Sequence, residues 1–117
     1  MARKLLRQLR PAQADTPLEI YRTPKDLSIG DISLIICNTT STRRSFSVYV
    51  LDGGTGGWGG ENAVFKDSLI GGNETIQMDS FVDLSEVNGI STIAVEVDSI
   101  DAVTFTLFGN EGKDALR

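Results

Sequence analysis

Carboxylates are the residue type in this chain whose number and spacing most readily suggest chemistry. Glu96 and Asp98 stand two apart, with Asp101 just beyond. Residues two apart in a strand project from one face. Such a pair could hold calcium through oxygen ligands or, set across a cleft, serve as the acid and base of a glycosidase. The spacing lacks the dense ligand run and sharp glycine turn of a calcium loop, and nothing in it spreads the carboxylates across a substrate. A solvated strand edge and turn is the simpler reading. Composition closes most other routes. The 117 residues include no histidine, so the commonest general base, metal ligand and near-neutral pH switch are missing. A serine or cysteine nucleophile would need lysine as its base, and none of the four lysines stands in a motif with a serine. The one cysteine, Cys37, ends the apolar run from Ile32 and reads as a small buried hydrophobe. It can form no disulfide within the chain. We therefore expect no enzyme, no cofactor and no metal.

The glycine loop Asp52-Gly-Gly-Thr-Gly-Gly-Trp-Gly-Gly60 invites a phosphate-binding reading. A phosphate loop needs lysine followed by serine or threonine after its glycines, at the mouth of a helix. Here Glu61-Asn62 follow and then a strand, so phosphate binding is rejected. Six glycines in eight residues make a loop that is costly to order. A lone Trp58 at its centre is best used as an anchor against a partner. The competing reading is that Trp58 folds back over an edge of its own domain. Arg43-Arg44 reads as a solvated turn. Asn38-Thr39-Thr40 and Asn73-Glu74-Thr75 match glycosylation acceptors. They are discounted because the N-terminus lacks the apolar stretch of a secretory signal.

Charge is split along the chain. Met1 to Lys25 holds six bases and two acids, a net +4; Asp26 to Arg117 holds five bases and fourteen acids, a net −9, giving −5 in all. Arg3, Lys4, Arg7 and Arg10 crowd the first ten residues with no acid among them. On a helical wheel Leu5, Leu6 and Leu9 fall opposite Arg3, Arg7 and Arg10. Pro11 and Pro17 fence off an extended stretch. The leader therefore reads as an extended or partly helical arm, residues 1–17, whose Arg3, Lys4, Leu5, Leu6, Arg7, Leu9 and Arg10 bind a partner. An acidic, partly apolar groove on another protein uses both faces at once. Nucleic acid is disfavoured, and a membrane is disfavoured because the leucine face is narrow and lacks an aromatic anchor. No apolar run approaches the ~18 residues of a membrane span.

The elements behind the arm are strands. Leu18–Arg22, Ser28–Cys37, Ser45–Leu51, Ala63–Ile70, Glu74–Phe81, Ser91–Val97 and Ala102–Phe108 read as strands between turn signals; Ser28–Cys37 alternates and then turns solidly apolar, Ala63–Ile70 is the weaker strand, and Ser45–Leu51 and Glu74–Phe81 alternate apolar and polar residues. Phe46, Val48 and Val50 share one face, as do Ile93, Val95 and Val97. Val82 to Gly89 reads as loop. About seven strands and no helix in the body predict an all-β fold. The architecture is an antiparallel β-sandwich, immunoglobulin-like or jelly-roll-like, spanning residues 18–110, with a polar tail at 111–117. Ser45, Ser47, Thr92, Glu96, Thr104 and Thr106 should face outward.

Leu9-Arg10-Pro11, Ile20-Tyr21, Ile35-Ile36-Cys37-Asn38, Phe46-Ser47-Val48-Tyr49, Gly72-Asn73-Glu74-Thr75-Ile76 and Ala102-Val-Thr-Phe-Thr-Leu-Phe-Gly109 follow one another in an order that resembles small virion structural proteins of tailed bacteriophages. The resemblance covers roughly Leu9 to Gly109 and brings no catalytic residue with it. The glycine–tryptophan loop and the segment Asn110 to Arg117 depart from it. It implies a non-enzymatic β-sandwich carried on the virion and assembled in the host cytoplasm. The implied role is capsid decoration or cement, bound to the major capsid protein or other virion subunits and forming homo-oligomers. A tail or fibre-attachment protein is the alternative within that class. A carbohydrate- or calcium-binding β module, using Trp58 and the acids near Asp98, is the alternative outside it.

Overall fold

β-Branched and aromatic residues at every second position favour a pleated backbone with one buried face. The computed structural model, which describes residues 4–24, 26–51, 53, 57–85 and 90–112, is all-β accordingly. Its strands are β1 (Lys4–Leu9), β2 (Leu18–Arg22), β3 (Ser28–Asn38), β4 (Arg44–Leu51), β5 (Ala63–Ile70), β6 (Thr75–Ser85), β7 (Thr92–Val97) and β8 (Val103–Gly112). One turn of 3-10 helix, Gly60–Asn62, precedes β5, and no α-helix occurs among the described residues. Two four-stranded antiparallel sheets result: sheet A in the order β1-β8-β3-β6 and sheet B in the order β2-β7-β4-β5. Consecutive strands cross from one sheet to the other at every connection except β4 to β5.

The core lies between the sheets. Phe46, Val48 and Val50 of β4 stand beside Val97, Val95 and Ile93 of β7. They face Ile29, Ile32, Leu34 and Ile36 of β3 and Val103, Phe105 and Leu107 of β8. Phe46 and Phe105 meet edge to face across the sandwich, with ring centroids 6.3 Å apart, the arrangement that ring quadrupoles favour.

Three sequence expectations change. The leader is not helical in its described part: Lys4–Leu9 is an eighth strand, paired with β8. Leu6 and Leu9, three apart, mimic a helical stripe, but a register shift between Leu5 and Arg7 leaves Leu6 without a partner. Both leucines thus reach the core from a strand. β6 runs on through Ser85, where a loop was expected, because Val82 and Leu84 still alternate onto the core beside Ile32 and Ile29. β8 continues to Gly112, so the first two residues of the expected tail pair with Ile29 and Ser28. Residues 113–117, residues 86–89, Arg3, Asp52 and the glycine-loop residues 54–56 lie outside the described residues.

All four edge strands carry extra residues: Leu6 in β1, Ile20 in β2, Val64 and one at Lys66–Asp67 in β5, and two in β6 near Ser80. Asp67 (φ 49°) and Ser80 (φ 46°) absorb the left-handed turns. Bulged edges twist away from regular pairing with another strand. The outward face of sheet A is different. Its register forms three rows: Leu5–Phe108–Ser33, Gln8–Thr106–Ile35–Gln77, and Thr104–Cys37–Thr75.

Candidate functional site: the leader strand and the Trp58 loop

The seven leader residues proposed to touch a partner have different surroundings. Arg3 lies outside the described residues. Lys4 reaches Glu111 Oε1 at 3.1 Å. Leu5 points outward and is 56% exposed. Leu6 and Leu9 are half-buried against the core. Arg7 is exposed, and Arg10, also exposed, donates from Nη2 to Thr39 Oγ1 at 2.9 Å. Beyond β1 the chain stays on its own body. Pro11 is buried and its carbonyl accepts from Asp101 N at 2.9 Å, while Asp15 N donates to Val97 O at 2.7 Å. The leader so passes from the edge of sheet A, round one end of the sandwich, into β2 of sheet B. The exposed charges along β1 and just beyond it are Lys4, Arg7 and Arg10, which make this edge cationic, with Leu5 and Gln8 exposed among them.

Lys4 belongs to a bridge between the sheets. Tyr21 of β2, in sheet B, donates from its hydroxyl to Glu111 Oε2 of β8, in sheet A, at 2.5 Å. Burial foremost, and then the Glu111 carboxylate, push the Tyr21 phenol well above its ordinary value. The same hydrogen bond, aided by Lys4 and opposed by partial burial, holds Glu111 below the usual carboxylate range. The carboxylate accepts from two donors and so stays ionised while its strand is half-buried.

Trp58 is half-buried, and its indole N–H donates to Thr92 Oγ1 at 3.2 Å. The described part of the glycine loop therefore lies over the outward face of sheet B. This explains why Thr92, expected to face solvent, is 0% exposed, while Ser47, also expected to face solvent, is 2% exposed beneath β5. They sit on the outward side of their strands but under cover. Ser47 Oγ accepts from Asp67 N at 2.9 Å, at the β5 bulge. Tyr49 lies on the same face, donates to Glu96 Oε1 at 2.6 Å, and has Lys66 Nζ 5.9 Å from its ring centroid. Lys66 also donates to the Tyr49 hydroxyl at 3.3 Å, which raises the pKa of the amine. Trp58 serves its own sheet in this arrangement, the reading set against the contact loop above.

The acids singled out for chemistry are separated by their work. Glu96 accepts from Tyr49. Asp98 Oδ2 accepts from Ser45 N at 3.1 Å, and Asp98 N donates back to Ser45 O at 3.2 Å, closing the ends of β7 and β4. Asp101 adopts φ 51° and holds Pro11 through its backbone. Glu96 and Asp98 share a shallow polar recess with Asp15, Asp67, Ser45 and Ser47. Among the described residues no three acid, cysteine or histidine side chains converge as metal ligands would.

Sequence reading missed one polar hub. Asn38, fully buried at the end of β3, donates from Nδ2 to Thr42 O (2.8 Å), Gly71 O (3.0 Å) and Ile70 O (3.2 Å). Its Oδ1 accepts from Thr40 N (3.0 Å) and Thr40 Oγ1 (2.7 Å). It joins the β3–β4 loop to the β5–β6 turn, where Gly72 packs so tightly that a Cβ would lie 2.2 Å from Ser41 O. Such a buried amide, with its capacity used on four backbone groups and the Thr40 hydroxyl, is not open to glycosylation in the folded chain. An asparagine ending a solid apolar run was the one signal available.

No family model matches the chain, and no curated protein matches it.

Proposed function

We propose that this chain is a non-enzymatic structural protein of a tailed-phage virion, a decoration or cement subunit whose cationic leader edge meets an acidic surface of the shell. The observation that carries the reading is the exposed Arg7–Arg10 edge on a body that is otherwise strongly acidic. A shell-binding subunit needs one face that grips and a remainder that stays solvated, and net negative charge keeps the remainder from collapsing onto its neighbours. The strand order supports the same class. Sheets β1-β8-β3-β6 and β2-β7-β4-β5 with crossing connections have the jelly-roll order rather than the immunoglobulin one. Jelly rolls recur in capsid and lectin domains, which is an argument from fold and weighs less than the site. The sequence resemblance quoted above points to virions on separate grounds.

The grip differs from that of a free arm. Residues 4–16 are tied to the body, so the partner meets a prearranged edge and little ordering entropy opposes binding. The carbohydrate and calcium alternative loses its parts: Trp58 is turned onto Thr92, and Glu96 and Asp98 are spent on Tyr49 and Ser45. The test is co-sedimentation of the purified chain with phage particles stripped of it, using wild type and the Arg7→Glu/Arg10→Glu pair. Saturable binding at many copies over the shell, lost in the double variant with the fold intact, supports the reading. A few copies at one vertex would move it to the tail. No association with any part of the particle would refute it.

A further inference from the structure

The leader is joined to the sandwich in two different ways. Residues 4–11 are held side chain by side chain. Lys4 meets Glu111 at 3.1 Å, Gln8 Nε2 donates to Thr106 Oγ1 at 2.9 Å, and Arg10 Nη2 donates to Thr39 Oγ1 at 2.9 Å. Leu6 packs so closely on Gly109 that a Cβ there would lie 3.0 Å from its Cδ1. Leu9 packs on the core, and the Pro11 carbonyl accepts from Asp101 N. Residues 12–16 are held loosely by comparison. Ala12, Gln13, Asp15 and Thr16 are exposed. Among the described residues their only hydrogen bond to the rest of the chain is Asp15 N to Val97 O, 2.7 Å; Thr16 Oγ1 donates within the turn, to Ala14 O. Asp15 sits at φ 55°, a left-handed conformation that a side chain with a Cβ disfavours. Pro17 follows and biases Thr16 toward extended backbone. A short, strained hinge beside a well-bound terminal element invites exchange of that element between copies.

We infer that two copies of this chain trade leaders: residues 4–11 of each lie along β8 of the other, in the register they hold on their own body, while the hinge at 12–16 opens. Opening frees Asp15 from its left-handed turn. Every contact named above is remade on the second copy, so the exchange gives up no packing. Those contacts also choose the occupant. The edge of β8 fits a segment with a bulge at Leu6, apolar residues three apart, a lysine opposite Glu111 and an arginine opposite Thr39. The chain itself carries that segment. Charge acts in the same direction, since Lys4, Arg7 and Arg10 of one copy are drawn to a body that is net −9 from Asp26 to Arg117. Opened, the five hinge residues reach up to about 17 Å, so the two bodies meet near their hinges. Concentration sets the extent of exchange. A copy's own leader competes at an effective concentration of about 1 mM. Trading therefore becomes substantial only where copies are crowded to a similar level. The inference stands apart from the virion reading: a chain that trades leaders but never binds particles keeps it, and one whose leaders stay on their own bodies loses it, bound or not.

The experiment uses two full-length chains, both with Cys37→Ser. One carries Gln8→Cys and the other Thr106→Cys, positions that face each other across β1 and β8 and fall within disulfide reach. They are mixed at about 1 mM, held overnight, diluted rapidly and oxidised. Non-reducing gels and peptide mapping read the products. A chain with Leu69→Cys in place of Thr106→Cys, exposed on sheet B, scores random collision. Circular dichroism and thermal melts of each variant confirm the fold. The concentrated mixture should give a dimer linked between positions 8 and 106, many-fold above the Leu69→Cys control and above a mixture that was never concentrated. A chain carrying both Gln8→Cys and Thr106→Cys supplies a second measurement. It should close on itself when oxidised dilute and run as a covalent dimer when concentrated first. Linkage no greater than the control, or a doubly substituted chain that runs as monomer at every concentration, would each overturn the inference.

Discussion

Deleting residues 1–9 separates a strand from an appendage. If the leader were an arm lying on the surface, its loss would leave the melting behaviour of the sandwich untouched. The structure predicts otherwise. Leu6 and Leu9 each bury the greater part of a side chain against the core, together worth roughly 2–3 kcal/mol. Phe105 and Leu107, fully buried at 0% exposure, would become part of a bare edge and lose about 1 kcal/mol each. The β1–β8 ladder contributes little net: its hydrogen bonds, at about 1 kcal/mol apiece, are offset by the entropy of ordering the strand, about 1–2 kcal/mol per residue. The Lys4–Glu111 pair is solvent-exposed on the lysine side and adds little. The expected loss is about 4–5 kcal/mol, a large share of the ~5–15 kcal/mol that a domain this size possesses. It corresponds to a fall in Tm of roughly 10–20 °C. Differential scanning calorimetry with urea titration measures it, and amide exchange at Phe105 to Gly109 should accelerate in the deleted chain. A truncated protein that melts within about 2 °C of wild type would show that β1 contributes nothing to the body, and the prearranged edge would revert to a loose tether.

Three further outcomes are expected. Asn38→Ala removes five side-chain hydrogen bonds and leaves the Ile70 carbonyl without its buried donor. It should cost roughly 3–5 kcal/mol by urea unfolding, and a loss under about 1 kcal/mol would discredit the hub. Gly72→Ala drives a methyl onto the Ser41 carbonyl, so the urea midpoint should fall by the equivalent of about 1–3 kcal/mol; an unchanged midpoint would mean the two turns are not in contact. Tyr21→Phe acts on both ends of the pH scale. The raised phenol pKa means that above pH ~10 the unfolded chain releases a proton that the folded chain keeps, so wild type loses stability as pH rises. The lowered Glu111 pKa supplies stability above pH ~4.5 that fades as pH falls through the folded value. Phenylalanine should flatten both limbs of a urea-midpoint-against-pH curve, and identical curves would exclude the bridge.

Where alternation was clean, sequence and structure agree: Ser45–Leu51 and Ser91–Val97 match β4 and β7 to within one residue. Alternation is a local signal and survives because each of these strands has one core face. The leader failed for a definite reason. A bulge moves apolar spacing from two residues to three, and three is also a helical spacing, so Leu6 and Leu9 could not distinguish the cases. The end of β8 was hidden too, since Glu111 and Gly112 look like tail until Glu111 is seen against Tyr21 and Lys4. Outward direction was legible for Ser47 and Thr92, but burial was not, since the cover comes from β5 and the Trp58 loop. Partners distant in sequence, such as Asn38 with Ile70, leave no periodic trace at all.

The split of charge that made the leader look like a separate device has a physical use inside the fold as well. β1 is an edge strand, and an edge exposes unpaired backbone groups to any other strand that arrives. Placing Lys4, Arg7 and Arg10 there, with a bulge at Leu6, makes a second copy's β1 repel it by like charge and fail to match it in register. The acidic body supplies the counter-charge, most directly through Glu111. One set of cations can thus forbid edge pairing between copies while remaining open to an acidic partner of another kind. The two uses separate under salt. Screening shortens the reach of exposed charges to about 10 Å at 0.1 M and about 3 Å at 1 M. Association with an acidic shell should therefore fall steeply over that range. A particle-binding isotherm unchanged between those salt concentrations would mean that Arg7 and Arg10 guard the edge and do nothing else.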